Sequence, residues 1–368
     1  MSLAHRPARR ARRAAALTIA TLLSAATLAA CGSDDEPSGS GSDGEGVSDA
    51  SITVQYSWIK NEEFAGEFYA TEKGYYDEAG ITDVTAIAGP STGVAELIEG
   101  TVDVALSDAA SIGAAIAEQD APLKIIGATF QKNPFTILSL KDGADISTPA
   151  DLVGKKIGVQ ASNENVFNAL LNANGIDRDD LTVVPVEFDP TPLIKGEVDG
   201  FMAYLTNEAI TVGAEQPVTN LAYAENGVPY VAETFSVTDQ FLAENRDLLK
   251  AFLTAEIQGW SDVFTEPTAD TVSLVEKFYN AGADAGDLNA NFGPLPATTA
   301  DSLEAQKELI STEETEANGL FTISDELKAQ TVESLAAAGW EVDVDALFDT
   351  SILEEIYAEN PDLVDYLS

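Results

Sequence analysis

The side chains best suited to bind a small molecule lie in seven short segments, each following a predicted strand. These segments are "SWIKNEE", "GPST", "SDAA", "FQKNPF", "QASNEN", "FDPTP" and "AYLTNE". Aromatic side chains stack on flat heteroaromatic rings, while amides and carboxylates pair with ring N–H and C=O edges. The candidate ligand contacts are therefore Trp58, Asn61, Glu62, Ser91, Asp108, Phe130, Gln131, Asn163, Asp189, Tyr204, Asn207 and Glu208.

Several of these candidates also have a structural interpretation. Phe135 could supply the ring in place of Phe130, and Phe188 is a further aromatic candidate. The structural alternatives are core packing for Trp58, helix capping for Asn163, turn formation for Asp189 and solvated charge for Glu62 and Glu208. Trp260 and Trp340 lie on or beside helical patterns and are more typical of a core.

Positive charge is scarce in the seven segments. Arg178 and Arg246 lie outside them, and Lys60 and Lys132 have carboxylates beside or near them. Sites for sulfonate, nitrate or phosphate usually use an arginine fork or a cluster of N–H donors. A neutral heteroaromatic ligand is therefore the preferred prediction, and a small anion such as sulfonate or nitrate remains the alternative.

Composition excludes several kinds of chemistry. Residues 1–30 contain five arginines and the only histidine, which leaves 14 Lys and Arg against 62 Asp and Glu. Beyond residue 30 there is no imidazole for a catalytic relay or a zinc site, and the single cysteine forms no disulfide within the chain. The strong negative charge disfavours nucleic acid as a partner. We expect neither a metal nor a cofactor.

The N-terminal segment is typical of a bacterial lipoprotein. Arginines at positions 6–13 precede the apolar residues 14–30, which predicts a signal peptide over residues 1–30; a transmembrane anchor is disfavoured because this stretch is short. Leu28, Ala29 and Ala30 before Cys31 resemble a lipobox, so Cys31 is the predicted lipidation site. Residues 31–50, rich in Gly, Ser and acids, are predicted to be a flexible tether. The protein should then lie outside the cytoplasm, anchored to the outer face of the plasma membrane.

The elements that position the candidate residues follow an α/β pattern. From residue 51, short β-branched runs alternate with amphipathic stretches, and beyond about residue 236 the chain turns helical. The segments "ELIEGTVDVALSD" and "PLIKGEVDGFMAY" both give a helix, a glycine turn and a strand, with Gly100 matching Gly196 and Asp103 matching Asp199. This repeat predicts two similar α/β lobes.

The order of several segments resembles a known family. "FAGEFYATEKGYYDEAGI", "GTVDVALSD", "TPADLVGKKIGVQ", "NALLNANGID", "VEFDPTPLIKGEVDGFMAYLTNE" and "VTDQFLAENRDLLKAFLTAEIQGW" are similar to ABC-transporter solute-binding proteins of the thiamine-pyrimidine-synthase-like branch. The resemblance implies a two-lobed periplasmic-binding-protein type II fold with a ligand cleft and two interlobe crossings. Lobe 1 would comprise residues 51–140 and 236–368, and lobe 2 residues 141–235.

The resemblance also implies a function. The protein would be a monomeric receptor that closes on a thiamine-precursor pyrimidine or a riboflavin-like ligand and delivers it to an ABC permease and its ATPase. A role in signalling rather than transport stays open. The branch includes pyrimidine synthases, but those resemble one another in a cysteine-rich motif and an active-site histidine that are missing here. We therefore expect a binding protein and not an enzyme.

Overall fold

Two five-stranded sheets carry the fold of residues 47–368, the part of the chain that the computed structural model describes. The predicted signal peptide, Cys31 and most of the tether lie outside the described residues. Residues 47–50, which the sequence assigned to the tether, already belong to the fold, because Val47 packs against the core and Ala50 begins the first strand. The strands are β1 Ala50–Gln55, β2 Ile81–Ile87, β3 Val104–Asp108, β4 Leu123–Phe130, β5 Phe135–Leu140, β6 Lys156–Val159, β7 Thr182–Pro185, β8 Gly200–Tyr204, β9 Val218–Ala222 and β10 Ala232–Thr238.

The helices connect these strands and dominate the C-terminal third. They are α1 Ala65–Lys73, α2 Tyr75–Glu78, α3 Val94–Glu99, α4 Ala109–Gln119, α5 Glu164–Ala173, α6 Thr191–Ile194, α7 Glu208–Gly213, α8 Asp239–Glu244, α9 Arg246–Thr265, α10 Thr268–Ala285, α11 Thr299–Ile310, α12 Glu313–Asn318, α13 Asp325–Ala338, α14 Val344–Leu347 and α15 Ser351–Glu359. Within residues 47–368, no helix combines the length and apolar character needed to cross a membrane.

Both sheets have the same topology. The first has the order β2-β1-β3-β10-β4 and the second β7-β6-β8-β5-β9. In each, three parallel strands are followed by one antiparallel strand and an edge strand. The antiparallel strand of each sheet lies next to the point where the chain crosses over, so the chain crosses twice, as the two-lobed fold requires.

The crossings differ in position from the sequence prediction. β5, expected in lobe 1, pairs with β8 and β9 of the second sheet. β10 pairs with β3 and β4 of the first sheet, although its first residues were expected in lobe 2. We therefore propose that the lobes meet at residues 131–134 and 223–231. Hydrophobicity alone does not separate these assignments, because β5 and β10 are buried on both faces.

The repeated segment plays one structural role in both sheets. Gly100 (φ 67°) and Gly196 (φ 70°) adopt the left-handed conformation that ends α3 and the turn after α6. The following aspartates each accept a hydrogen bond from a neighbouring strand, Asp103 from Thr53 N at 2.8 Å and Asp199 from Lys156 N at 2.8 Å. The repeat thus fixes the register of β3 and β8, whose C-terminal ends carry Asp108 and Tyr204.

Helix α13 joins the two halves of the molecule. It packs against α4, which follows a strand of the first sheet, and against α5, which follows a strand of the second. Asn172 of α5 donates to the carbonyl oxygen of Ala338 at 2.9 Å, and the indole N–H of Trp340 donates to Glu118 of α4 at 2.9 Å. Trp260 and Trp340 are both buried, which confirms their predicted place in the core. The region beyond residue 236 therefore serves both sheets and not lobe 1 alone.

Candidate functional site

A cavity lies where the C-terminal ends of strands from both sheets meet, which is the position at which open α/β sheets bind ligands. Its empty volume, including the space open to solvent, is about 680 Å³. This inner chamber is lined by Ser57, Trp58, Glu63, Pro90, Ser91, Thr92, Ser107, Asp108, Phe135, Gln160, Ser162, Asn163, Phe188, Met202, Ala203, Tyr204, Asn207, Glu208 and Glu233.

A wider outer chamber adjoins it and shares Trp58 and Phe188 with it. The outer chamber is lined by Trp58, Ile59, Asn61, Glu62, Pro90, Glu187, Phe188, Asp189, Pro190, Asn207, Glu208, Thr211, Tyr279, Leu288, Asn291, Phe292 and Pro296. Trp58 contacts Phe188 across the boundary, with ring centroids 4.3 Å apart. Because Trp58 follows β1 and Phe188 follows β7, this contact joins segments attached to different sheets.

The structure brings most of the predicted contacts together. Trp58, Ser91, Asp108, Asn163, Tyr204, Asn207 and Glu208 line the inner chamber. Asn61, Glu62 and Asp189 line the outer one. One oxygen of Asp189 accepts from Thr191 N at 2.8 Å and from its hydroxyl at 2.6 Å, so this carboxylate also has the turn role considered above. Asn163 makes no side-chain capping bond and instead donates to Gln160 at 3.1 Å.

Phe130 and Gln131 are the exceptions, since they line neither chamber. Phe130 is fully buried in the core, and Gln131 is 4% exposed and donates its amide to the carbonyl oxygen of Ala128 at 2.8 Å. Helix α11 covers this end of β4, because Gln131 N donates to Leu309 O at 2.9 Å. Phe135, the alternative aromatic, lines the inner chamber edge-on to Tyr204 with ring centroids 4.6 Å apart.

Two carboxyl groups that the sequence reasoning did not select lie at the inner chamber. Glu63 follows Asn61 and Glu62 in a short 3-10 turn, where the Asn61 side chain accepts from Glu63 N at 3.2 Å. Glu233 is the extra residue of a β-bulge in β10 and has a left-handed φ of 46°. Bulges re-aim side chains and are frequent beside functional sites. The sequence feature that could have identified Glu233 is a single acidic residue within the otherwise mostly apolar run "YVAETFSV".

Burial makes the carboxyls of the cleft difficult to ionise. It raises the pKa of Glu62, of Glu208 and of Glu233 to about 7 in each case. Burial also raises the pKa of Asp108, although hydrogen bonds from Ser111 oppose the shift. No lysine, arginine or histidine is among the residues that line either chamber. The cleft therefore carries acidic groups without a compensating protein cation.

Lys60, whose neighbours Ile59 and Asn61 line the outer chamber, forms its ion pair outside the lining residues. Lys60 pairs with Asp287 at 2.8 Å, and its backbone N–H and C=O both bond to the buried side chain of Asn289. These contacts hold residues 286–298, the covering segment, over the outer chamber. Phe292 of this segment lies edge-on to Trp58 with ring centroids 5.3 Å apart. Within residues 47–368, no group of three or more His, Cys, Asp or Glu is arranged to hold a metal ion.

Comparison with known proteins identifies the family. Residues 61–270, more than half of the chain, match the model of the family described as NMT1/THI5 like. The chain belongs to this family. It is 25% identical over 310 residues to the riboflavin-binding protein RibY of Chloroflexus aurantiacus, covering 78% of this chain and 81% of that protein.

Solved structures confirm the two-lobed fold of this NMT1/THI5-like chain. The alkanesulfonate-binding protein SsuA of Xanthomonas axonopodis pv. citri, bound to MOPS, aligns with a TM-score of 0.60 and 16% identity, covering 82% of this chain and all of that one. The nitrate-binding protein NrtA of Synechocystis PCC 6803 aligns with a TM-score of 0.58 and 14% identity, covering 87% and 91%. The family match and these neighbours confirm the resemblance to ABC-transporter solute-binding proteins that the sequence indicated.

Proposed function

We propose that this protein is the extracytoplasmic solute-binding component of an ABC importer and that it captures a flavin of the riboflavin type. The inner chamber carries the proposal, because it places aromatic rings from both sheets beside acidic groups without a cation. Trp58, Phe188 and Tyr204 offer faces and edges for a flat ring. The riboflavin-binding relative supports the same ligand class.

The anion alternative has weaker support from the site. The structural neighbours bind sulfonate or nitrate, yet oxyanion sites depend on arginine forks or clustered N–H donors. Here the lining carboxyls would repel an oxyanion as soon as they ionise. A thiamine-precursor pyrimidine shares the ring chemistry of a flavin and stays a candidate within the same class.

The cellular setting is part of the proposal. We infer that Cys31 is lipidated after removal of residues 1–30 and that the protein acts as a monomer which hands its ligand to a permease driven by an ATPase. We further propose binding without catalysis, since no imidazole or thiol lines the cleft. If Cys31→Ser leaves the protein in the membrane fraction, the lipid anchor is refuted.

Fluorescence titration tests the ligand. Stacking against Trp58 should quench riboflavin emission on binding, and riboflavin at 100 times its Kd should stabilise the fold by about 2.7 kcal/mol in thermal unfolding. Hydroxymethylpyrimidine, taurine and nitrate serve as competitors. Binding of taurine or nitrate with no response to riboflavin or the pyrimidine would overturn the ligand class.

A further inference from the structure

Glu63 and Glu233 come from different parts of the first sheet but meet at one wall of the inner chamber. Glu63 lies in the turn after β1, and the bulge in β10 directs Glu233 towards it. Each carboxyl shifts the pKa of the other, so the two lie close together. They are 7% and 2% exposed, and both line the chamber.

The contacts of this pair are incomplete on the side of Glu63. Ser57 donates its hydroxyl to Glu233 Oε2 at 2.9 Å, and Tyr204 lies near enough to affect the pKa of Glu233. Glu63 Oε1 is buried and has no hydrogen-bond partner. Buried polar atoms are nearly always bonded, so this oxygen in the chamber wall has capacity to accept from a donor that a ligand brings.

The two carboxyl groups differ in pKa. Burial raises the pKa of Glu63 well above its usual value, and the charge of Glu233 raises it further. The pKa of Glu233 rises only to about 7, because hydrogen bonds from Glu63, Ser57 and Tyr204 favour its ionised form. Two carboxylates in one buried site cannot both ionise cheaply, so the first proton leaves Glu233 and the second stays on Glu63.

We propose that the paired carboxyls of Glu63 and Glu233 act as one acceptor in the wall of the inner chamber and select ligands that present an N–H donor edge to it. This inference deepens the proposed function and rests on it. A flavin fits because its ring carries an N–H between two carbonyl groups, whereas an oxyanion has no donor to offer. The pair is thus the element that favours donor rings over the anions bound by proteins of the same fold.

The pair also makes binding depend on pH. The charged or titratable groups that face it are Glu62, Glu67, Asp108, Tyr204 and Glu208, and none of them is a cation. A ligand N–H that donates to the pair favours the ionised form of Glu233, so Glu233 ionises at lower pH in the complex than in the free protein. Affinity for a neutral flavin should therefore rise with pH, by up to tenfold per pH unit, and level off above about pH 7. A flavin without the donor N–H should lack this rise.

The experiment compares riboflavin with 3-methylriboflavin, in which a methyl group replaces the donor N–H. We expect the methyl group to weaken binding to the unchanged protein by about ten- to a hundredfold at pH 8, as for loss of a hydrogen bond to a charged group. In Glu233→Gln the methylation penalty should shrink to a few-fold and the rise in affinity towards pH 7 should flatten. The control is Glu256→Gln, because Glu256 is also buried but lines neither chamber; it should keep the penalty and the pH dependence.

The outcomes separate this inference from the proposed function. If both flavins bind the unchanged protein equally and without pH dependence, the role of the pair is overturned while flavin binding stands. If the methylation penalty is the same in Glu233→Gln as in the unchanged protein, another group recognises the N–H edge and the proposed role of the pair is overturned. If neither flavin binds at any pH, the proposed function itself fails. The comparison of ligands on the unchanged protein remains decisive even if Glu233→Gln does not fold.

Discussion

Glu67→Gln should remove a loss of stability that we expect the unchanged protein to show between pH 4.5 and about 8. Glu67 lies on α1, faces Glu256 of α9 and is 2% exposed, and its Oε2 has no hydrogen-bond partner. Burial raises the pKa of Glu67 from 4.5 to about 8. Tyr76 donates its hydroxyl to Glu256, while the indole N–H of Trp260 faces Glu67 without a well-formed hydrogen bond. The core therefore prefers Glu67 protonated.

The sign and size follow from proton linkage. A raised carboxyl pKa gives stability that is complete below pH 4.5 and is lost as pH rises through about 8. The loss is about 1.4 kcal/mol per pH unit across this window, or roughly 5 kcal/mol in total for one group. Glutamine keeps the shape but cannot ionise. The free energy of unfolding of Glu67→Gln, relative to that of the unchanged protein, should therefore increase as pH increases.

Urea unfolding at pH 5, 6, 7 and 8 measures this difference. The free energies of unfolding of the two proteins should diverge by about 1.4 kcal/mol per pH unit. The exposed control Glu244→Gln should show the same pH dependence as the unchanged protein. Parallel curves for Glu67→Gln would show that Glu67 is ionised in the folded state at neutral pH and that water or another group compensates its charge.

Three further changes test packing, the cleft and the covering segment. Gly66→Ala should destabilise the fold by about 1–3 kcal/mol in urea unfolding, because its Cβ would lie 2.2 Å from an indole ring, while Gly213→Ala should be tolerated, since only one atom lies within 4 Å, at 3.5 Å. Trp58→Phe should weaken riboflavin binding by about two- to tenfold, whereas Trp340→Phe, outside both chambers, should leave the Kd unchanged. Lys60→Met should speed hydrogen exchange in residues 286–298 but lower stability by less than about 1 kcal/mol; unchanged exchange there would refute the tethering role of Lys60.

The sequence was most informative where a local rule fixes a conformation. The paired segments around Gly100 and Gly196 predicted two similar lobes, and the structure places both glycines at left-handed turns before equivalent strands. The strand-end rule found most of the cleft, because parallel strands bring their C-terminal ends to one edge. The absence of arginine from the chamber linings also followed from the positions of Arg178 and Arg246 in the sequence, whereas Lys60 and Lys132 had left lysine possible there.

The residues that the sequence placed wrongly or did not select owe their positions to long-range contacts. Phe130 ends a strand as predicted, but a helix far along the chain covers that end and removes it from the cleft. Glu233 reaches the cleft only because β10 returns from the second crossing with a bulge at that residue.

Helix α13 has a consequence for how a ligand enters and leaves. Its contacts with α4 and α5 bury apolar side chains of both halves, and it lines neither chamber. Parting the halves along α13 would expose that shared core to water, whereas parting them at the cleft breaks the Trp58–Phe188 contact and polar contacts such as the hydrogen bond between Thr211 and Thr298. We therefore expect the cleft to open by a hinge motion in which the contacts of α13 are kept. A ligand would then enter and leave between Trp58 and Phe188.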